Sequence, residues 1–481
     1  MASAATEAAV TRQSDIIPFW EKVLFSTGDM AFNLIWMPLA IYANMYFTDI
    51  CGIPAAWVGW IFLAVRSLDL VTDVGMGVIG DRTTPKPKFG KFRLYIAWGA
   101  IPLAVTGAAM FYAPEFSTVG KAIYLGVVYL LLSLMYTMTN VPYSAQMSIM
   151  SGDHQERTQL SAIRMVGAQT GVLIVSLLML YIVNWLGGDV PKEQDPEGYI
   201  AAQKAGYFYT MSLFGIIVAA CLYLTAKYSK DRVKPEAVDM ETTKKNLVEM
   251  AKCVPWWMLL VVGLFTTFAL TIRFGTIMHY VKYYLTPESI EPWGGIAGVA
   301  SIFFTSGTLC ALGGSAIYGF VSKIFDKKVV YLFCIAAAGV TSVAFSFVPN
   351  DGVLALIIIQ IVFSLVMGPT GAIMFATYTD VAAYLKHKKG NDTEGLAMSV
   401  GSLCNKSGWS IGPTLTLILL GLVNYTPDVE QSDEVLSALV GMMSWGPAVA
   451  CLIAFVGMAV YPLNRNRMDR ITRELQERGA I

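Results

Sequence analysis

Charge is scarce in this sequence. Of its 481 residues only 14% are Asp, Glu, Lys or Arg, while 55% are hydrophobic and the mean hydropathy is +0.56. A soluble domain of that composition lacks the polar residues to cover its surface, which leaves a polytopic membrane protein. The 34 basic and 34 acidic residues cancel, so nothing points to nucleic acid as a partner. Histidine is scarce as well. Of three, His154 and His387 fall in expected loops and His279 alone in a span. No HExxH or GxxxxGK[ST] pattern is present, so metalloprotease and ATP-driven pump readings lack their parts. The chain is read as no enzyme, with no cofactor, driven by an ion gradient or by the solute's own. The seven cysteines show no paired spacing and read as small hydrophobes, neither disulfides nor metal ligands. The N-terminus lacks the basic start, apolar run and cleavage site of a signal peptide, and residues 1–24 are expected to form a retained cytoplasmic tail.

What is present is a series of apolar stretches, each long enough for about 20 helical residues. They begin near Phe25, Ala56, Phe92, Ala122, Ser161 and Tyr207, then near Trp256, Gly295, Val329, Gly352, Leu396 and Leu436. The expectation is an all-α membrane protein of about twelve transmembrane helices in two groups of six. Lys and Arg concentrate in alternate loops, as at Lys86, Lys88 and Lys91, at Lys230 and Arg232, and at Lys386, Lys388 and Lys389. The intervening loops hold mainly acids, such as Asp189, Glu193, Glu288, Glu291, Asp428 and Glu430. Basic loops stay on the cytoplasmic side, so both termini are expected in the cytoplasm of a cell with a multi-pass protein in its membrane, a bacterial inner membrane. The polar segment 228–254 reads as the linker between bundles 25–227 and 255–463, with a cytoplasmic tail at 464–481. Two parallel six-helix bundles are the arrangement of the major facilitator fold.

Three charges break the apolar pattern of the second span, RSLDLVTD. Asp69 and Asp73 are one helical turn apart and Arg66 lies on the same stripe. A charge at mid-membrane costs at least about 2.5 to 3.5 kcal/mol, so these groups must face a cavity or pair with one another. Two close carboxylates repel unless a cation or proton sits between them, which suits a sodium-like ion or a proton. The bland alternative is a structural Arg66–Asp69 ion pair, which leaves Asp73 unexplained. Other polar groups recur along the spans: Asp29 and Asn33 in the first; Tyr136, Thr137 and Asn140 in the fourth; Arg164 in the fifth; Arg273, His279 and Lys282 in the seventh; and Asn405 and Lys406 in the eleventh. Carboxylates and amides converging on one lumen fit sugar hydroxyls, with aromatic rings such as Trp36 and Tyr143 available to stack on the sugar. For any single aromatic, helix packing or an interfacial belt competes with that role.

Four segments resemble the glycoside/pentoside/hexuronide:cation symporters, of which melibiose permease is a member: GDMAFN, RSLDLVTD running into GDRTTPKPKFGKFR, NVPYSAQ before ERTQLSAIR, and EGLAMSVGSLCNKSGWSIG. The resemblance implies that Asp69 and Asp73 are cation carboxylates, holding sodium if sodium is used, with Thr72, Thr137 and Ser402 supplying further oxygens. It places Asp29, Arg164 and Lys406 where the family contacts sugar or ties sugar to cation, and pairs Arg66 with the helix-two acids. Asp81, Arg82, Glu156 and Arg157 resemble gate and loop positions whose charge pairs hold the halves closed on one side. This sequence departs from melibiose permease at Asn140, where that protein has Asp, and at Ser144, where it has a stacking Trp; Ala383 replaces the second acid of a DxxDY pattern. With Arg164, Arg273 and Lys406 retained, the loss of a carboxylate at Asn140 favours an acidic sugar electrostatically. The expected partners are a small sugar, a monovalent cation and the lipid bilayer, for a chain able to work as a monomer. The rival readings are a lipid or lysolipid transporter of the same superfamily and a sugar sensor that does not transport.

Overall fold

A computed structural model describes residues 16–83, 90–188, 190, 194–233, 248–389 and 394–477; inside its helices the side chains of 70, 74, 78, 80–82, 154, 389, 394–400, 402–404 and 466 fall outside the description. Helices account for every extended element among the described residues. The chain divides into two compact units, Met1–Ala237 and Val238–Ile481.

The first unit holds α1 (Phe19–Ile41), α2 (Ala55–Arg82), α3 (Arg93–Met110), α4 (Thr118–Met150), α5 (His154–Gly187) and α6 (Pro196–Tyr228). The second holds α7 (Val254–Tyr283), α8 (Gly295–Val321), α9 (Lys327–Phe345), α10 (Val353–Lys389), α11 (Glu394–Leu422), α12 (Asp433–Met443), α13 (Trp445–Ala459) and α14 (Arg465–Glu477). Eleven of the described spans are long and apolar enough to cross a membrane, α12 and α13 together forming one of them. With α11 added, the helices accommodate the twelve expected spans. Several start at a side chain that satisfies an orphan backbone N–H: Ser117 accepts from Gly120, Asp153 from Gln155, Asp195 from Gly198 and Asp326 from Lys328. Such caps explain why the helices begin at the polar edges of the apolar runs.

Two boundaries differ from the sequence reading. Helix α1 starts at Phe19, so residues 19–24 belong to the first span and not to a tail. The C-terminal segment is helical as well, because Met468, Ile471 and Leu475 repeat at helical spacing and bury themselves in the core of the second unit. Glu474 on α14 meets His387 at the end of α10, with 2.5 Å between Oε2 and Nε2. Residues 234–247 of the expected linker lie outside the described residues.

Candidate cation and solute site

The first unit's site begins with a packing device. Helix α5 carries Gly167 and Gly171, four residues apart, and α1 lies against them. A Cβ at Gly167 would stand 2.3 Å from the Ser26 carbonyl oxygen, and one at Gly171 would stand 2.7 Å from that of Met30. Small residues at this spacing let two membrane helices approach to backbone contact. The approach brings Asp29, one turn beyond Ser26, to Arg164, one turn before Gly167. The guanidinium grips the carboxylate through Nε at 2.7 Å and Nη2 at 3.1 Å. Tyr143 of α4 completes the cluster: its hydroxyl donates to Asp29 Oδ2 at 2.6 Å, and its ring lies 4.7 Å from the guanidinium carbon. Asn33 Nδ2 donates to the Asp29 carbonyl at 2.9 Å. Three helices are thus tied at one carboxylate, with its charge matched and hydrogen-bonded.

The helix-two acids sit in a second constellation. Helices α2 and α4 pair so that residues 69 and 73 each face the residue 64 positions on. Ser133 Oγ donates to Asp69 Oδ1 in a short contact, and one turn on, Thr137 Oγ1 donates to Asp73 Oδ1 at 2.8 Å. One turn back, Arg66 stands beside Tyr129, 5.1 Å from its ring, and lies 3.9 Å above the ring of Trp36. Arg66 also pairs with Asp69 through Nη1 and Oδ2 at 2.7 Å. The result is a ladder of one basic and two acidic rungs on α2 against a phenol and two hydroxyls on α4. Two carboxylates and two hydroxyls offer an all-oxygen ligand set beside the Arg66 guanidinium, the kind that suits a hard monovalent ion or a proton. Ser133 was not foreseen; the matched four-residue spacing of Ser133 and Thr137 to Asp69 and Asp73 is the signal that could have revealed it.

Tyr136 bridges the two constellations, its ring 5.4 Å from Trp36 and 5.3 Å from Phe32. Asn140 follows it by one turn, half-buried on α4. The Thr72 hydroxyl turns back to donate to the Asp69 carbonyl at 3.2 Å and points no oxygen at a carboxylate here. Glu156 meets Lys22 of its own unit at 2.8 Å and accepts from the Ile17 backbone at 3.0 Å. These contacts fasten the start of α5 to the start of α1. Arg157 is half-buried at the start of α5. The side chains of Asp81, Arg82 and Ser402 lie outside the described residues.

In the second unit, Lys406 is exposed on α11, and Asn405 accepts from Thr267 Oγ1 at 3.2 Å. Arg273 departs from expectation. It is 1% exposed and its guanidinium lies among Phe303, Phe345 and Phe363, which belong to α8, α9 and α10. It faces the core of its own unit and joins no other predicted solute residue, because a sequence does not say which side of a uniformly apolar helix turns inward. The acidic-sugar reading loses support from this and from the bidentate Asp29–Arg164 pair, which absorb two of the three cations it rests on. One enzyme pattern also needs an answer: Gly408-Trp409-Ser410-Ile411-Gly412 has nucleophile-elbow spacing. It lies inside helix α11, and Ser410 Oγ donates to the Lys406 carbonyl at 3.0 Å, so no strand-to-helix turn presents that hydroxyl.

Among the described residues no cluster of three or more His, Cys, Asp or Glu suits a metal ion of the structural kind. The MFS/sugar transport protein family matches residues 24–465. The chain is 29% identical over 463 residues to the putative glycoside/cation symporter YagG of Escherichia coli (strain K12), covering 96% of this chain and 95% of that relative. To the glucuronide carrier protein homolog of the same organism it is 25% identical over 471 residues, covering 96% of each. Among solved structures, the D-xylose-proton symporter matches with a TM-score of 0.62 at 10% identity, over 92% of this chain and 97% of that one, a likeness of fold. The match across almost the whole chain, with two helical units and polar clusters inside apolar spans, makes this a multi-pass sugar transporter and not an enzyme: the chain belongs to the MFS/sugar transport protein family, among the glycoside/pentoside/hexuronide:cation symporters.

Proposed function

We propose that the protein imports a glycoside together with a monovalent cation by alternating access, the cation binding on the α2–α4 ladder and the sugar beside the α1–α5 cluster. The observation that carries this reading is the paired register of Asp69 with Ser133 and Asp73 with Thr137. Two carboxylates one turn apart repel, and a sodium ion or proton between them removes the repulsion. Tyr136 and Trp36 then link the occupied ladder to Asp29, so cation and sugar raise each other's affinity. A charge crossing about 100 mV contributes roughly 2.3 kcal/mol. A tenfold ion gradient adds about 1.4 kcal/mol, and together they support roughly a several-hundred-fold solute gradient.

The sugar is a neutral glycoside on this account, since Asp29 balances Arg164 and Arg273 is turned into the core. The 25% identity to a glucuronide carrier homolog keeps a hexuronide as the second reading. Uptake by membrane vesicles with an imposed sodium or proton gradient tests both. Stimulation of neutral pentoside or glycoside uptake by one of these gradients supports the proposal. Preferential uptake of uronides would replace the substrate class, and equal uptake without any gradient would remove the coupling. A shift in thermal stability by lysolipids, and not by sugars, would favour the lipid-transporter rival. We place both termini on the cytoplasmic side of a bacterial inner membrane from the loop charges, a placement that protease access to the tails of inverted vesicles checks.

A further inference from the structure

Arg273 poses a problem that the transport reading does not solve. Its side chain is 1% exposed, and Nε, Nη1 and Nη2 all lack a hydrogen-bond partner. A guanidinium carries five N–H donors and a permanent charge. Taking such a group out of water costs several kcal/mol unless something compensates it. Three rings supply part of that compensation. The guanidinium carbon is 4.2 Å from the centroid of Phe363, 4.8 Å from Phe345 and 5.9 Å from Phe303. Each such contact is attractive through the ring face. Ring faces cover the flat sides of a guanidinium, however, and leave its in-plane N–H donors without acceptors.

The surroundings supply further donors. Tyr280 lies seven residues along α7, on the same face. It is fully buried, its ring is 5.3 Å from that of Phe345, and its hydroxyl has no hydrogen-bond partner. Arg273 and Tyr280 thus meet the same ring, Phe345, from one helix face. The phenol oxygen can accept from one N–H at most, a guanidinium accepts from none, and neither brings a negative charge in its ordinary state. The group that would complete this arrangement accepts hydrogen bonds, carries a negative charge and tolerates phenyl walls, whose edges are electropositive.

We propose that Arg273 and Tyr280 form a buried site for a small monovalent inorganic anion of halide size, inside the helices of the second unit. The anion takes the in-plane N–H groups of Arg273 and the hydroxyl of Tyr280 as charge-assisted donors. The site is separate in residues and in unit from the acid–hydroxyl ladder, so it acts on the stability of the second unit and does not carry the coupling ion.

The test is thermal unfolding of the purified full-length chain in detergent micelles, titrated with sodium chloride or sodium bromide against sodium gluconate at fixed sodium concentration and ionic strength. The expected result is a saturable rise in the unfolding midpoint with either halide and none with gluconate. Arg273→Met, which fills the same space with an apolar side chain, should abolish the halide dependence. Should that variant fail to fold, Tyr280→Phe retains the ring and should weaken the apparent halide affinity about tenfold, the loss of one charge-assisted hydrogen bond. Asp73→Asn should leave the halide effect unchanged, which separates this site from the transport proposal. Equal midpoints in halide and gluconate would overturn the proposal, leaving rings and water as the compensation for Arg273. An undiminished halide shift in Arg273→Met or Tyr280→Phe would overturn it equally.

Discussion

Helix pairs α1–α5 and α7–α11 are built on the same plan and loaded differently. In the first, Gly167 and Gly171 admit α1 to backbone contact; in the second, Gly408 and Gly412 admit α7, where a Cβ would stand 2.5 Å from Thr267 Cβ and 2.3 Å from Thr271 Oγ1 respectively. Beside the first glycine pair sits a half-buried ion pair, Asp29 with Arg164. Beside the second sits a neutral hydrogen bond, Thr267 to Asn405, reinforced by Thr271 Oγ1 donating to the Gly408 carbonyl at 2.8 Å. Packing geometry alone therefore does not call for charge at this place in a bundle. The neutral version shows what the scaffold needs, and the charged version what the first unit adds to it.

Substitutions can break that contrast in graded steps. Arg164→Met leaves Asp29 half-buried beside Tyr143 without its cation; stranding one member of a fully buried pair costs about 3 to 5 kcal/mol, an upper bound for this half-buried one. Asn405→Leu at the matching place in the other unit removes a neutral hydrogen bond, worth about 0.5 to 1.5 kcal/mol. Denaturation of the two purified variants should differ accordingly, and adding Asp29→Asn to Arg164→Met should recover much of the larger loss. Equal losses would mean that the ion pair is only a packing device.

Glycine substitutions address what the pairs share. Gly167→Val and Gly412→Val each press a branched side chain into a facing helix, at a cost of about 1 to 3 kcal/mol. Similar falls in unfolding midpoint are expected for both. A fall confined to one unit would end the analogy between them.

Ser133→Ala is the smallest change. It removes one hydroxyl from Asp69 with almost no change in volume, and should weaken the activating cation about five- to tenfold while leaving sugar binding without cation intact. Cation titrations of sugar binding would show this, and an unaltered cation dependence would take Ser133 out of the site.

Much of this was legible in the sequence because it depends on spacing along one chain. The Arg66, Asp69 and Asp73 stripe follows from three- and four-residue intervals, and the spans follow from apolar run length. What depends on a second helix was less legible. Ser133 is an unremarkable serine until the register of α2 against α4 sets it opposite Asp69. Arg273 looked like a solute residue because polar groups in spans usually line a lumen, yet α7 buries it among three phenylalanines. Glu156 reads as a gate by position, whereas its described partner, Lys22, comes from its own unit. The C-terminal helix was hidden by its charge: Arg465, Arg467, Arg470 and Arg473 read as tail, while Met468, Ile471 and Leu475 bury it against the core.

The coupling role of the acid–hydroxyl ladder is tested most directly with Asp73→Asn in proteoliposomes, comparing gradient-driven sugar accumulation with sugar exchange at equilibrium. The account predicts that accumulation against a gradient is lost while exchange of sugar across the membrane persists, because the amide keeps the fold and the hydrogen bond to Thr137 but holds no cation. Undiminished accumulation driven by the same ion would contradict it.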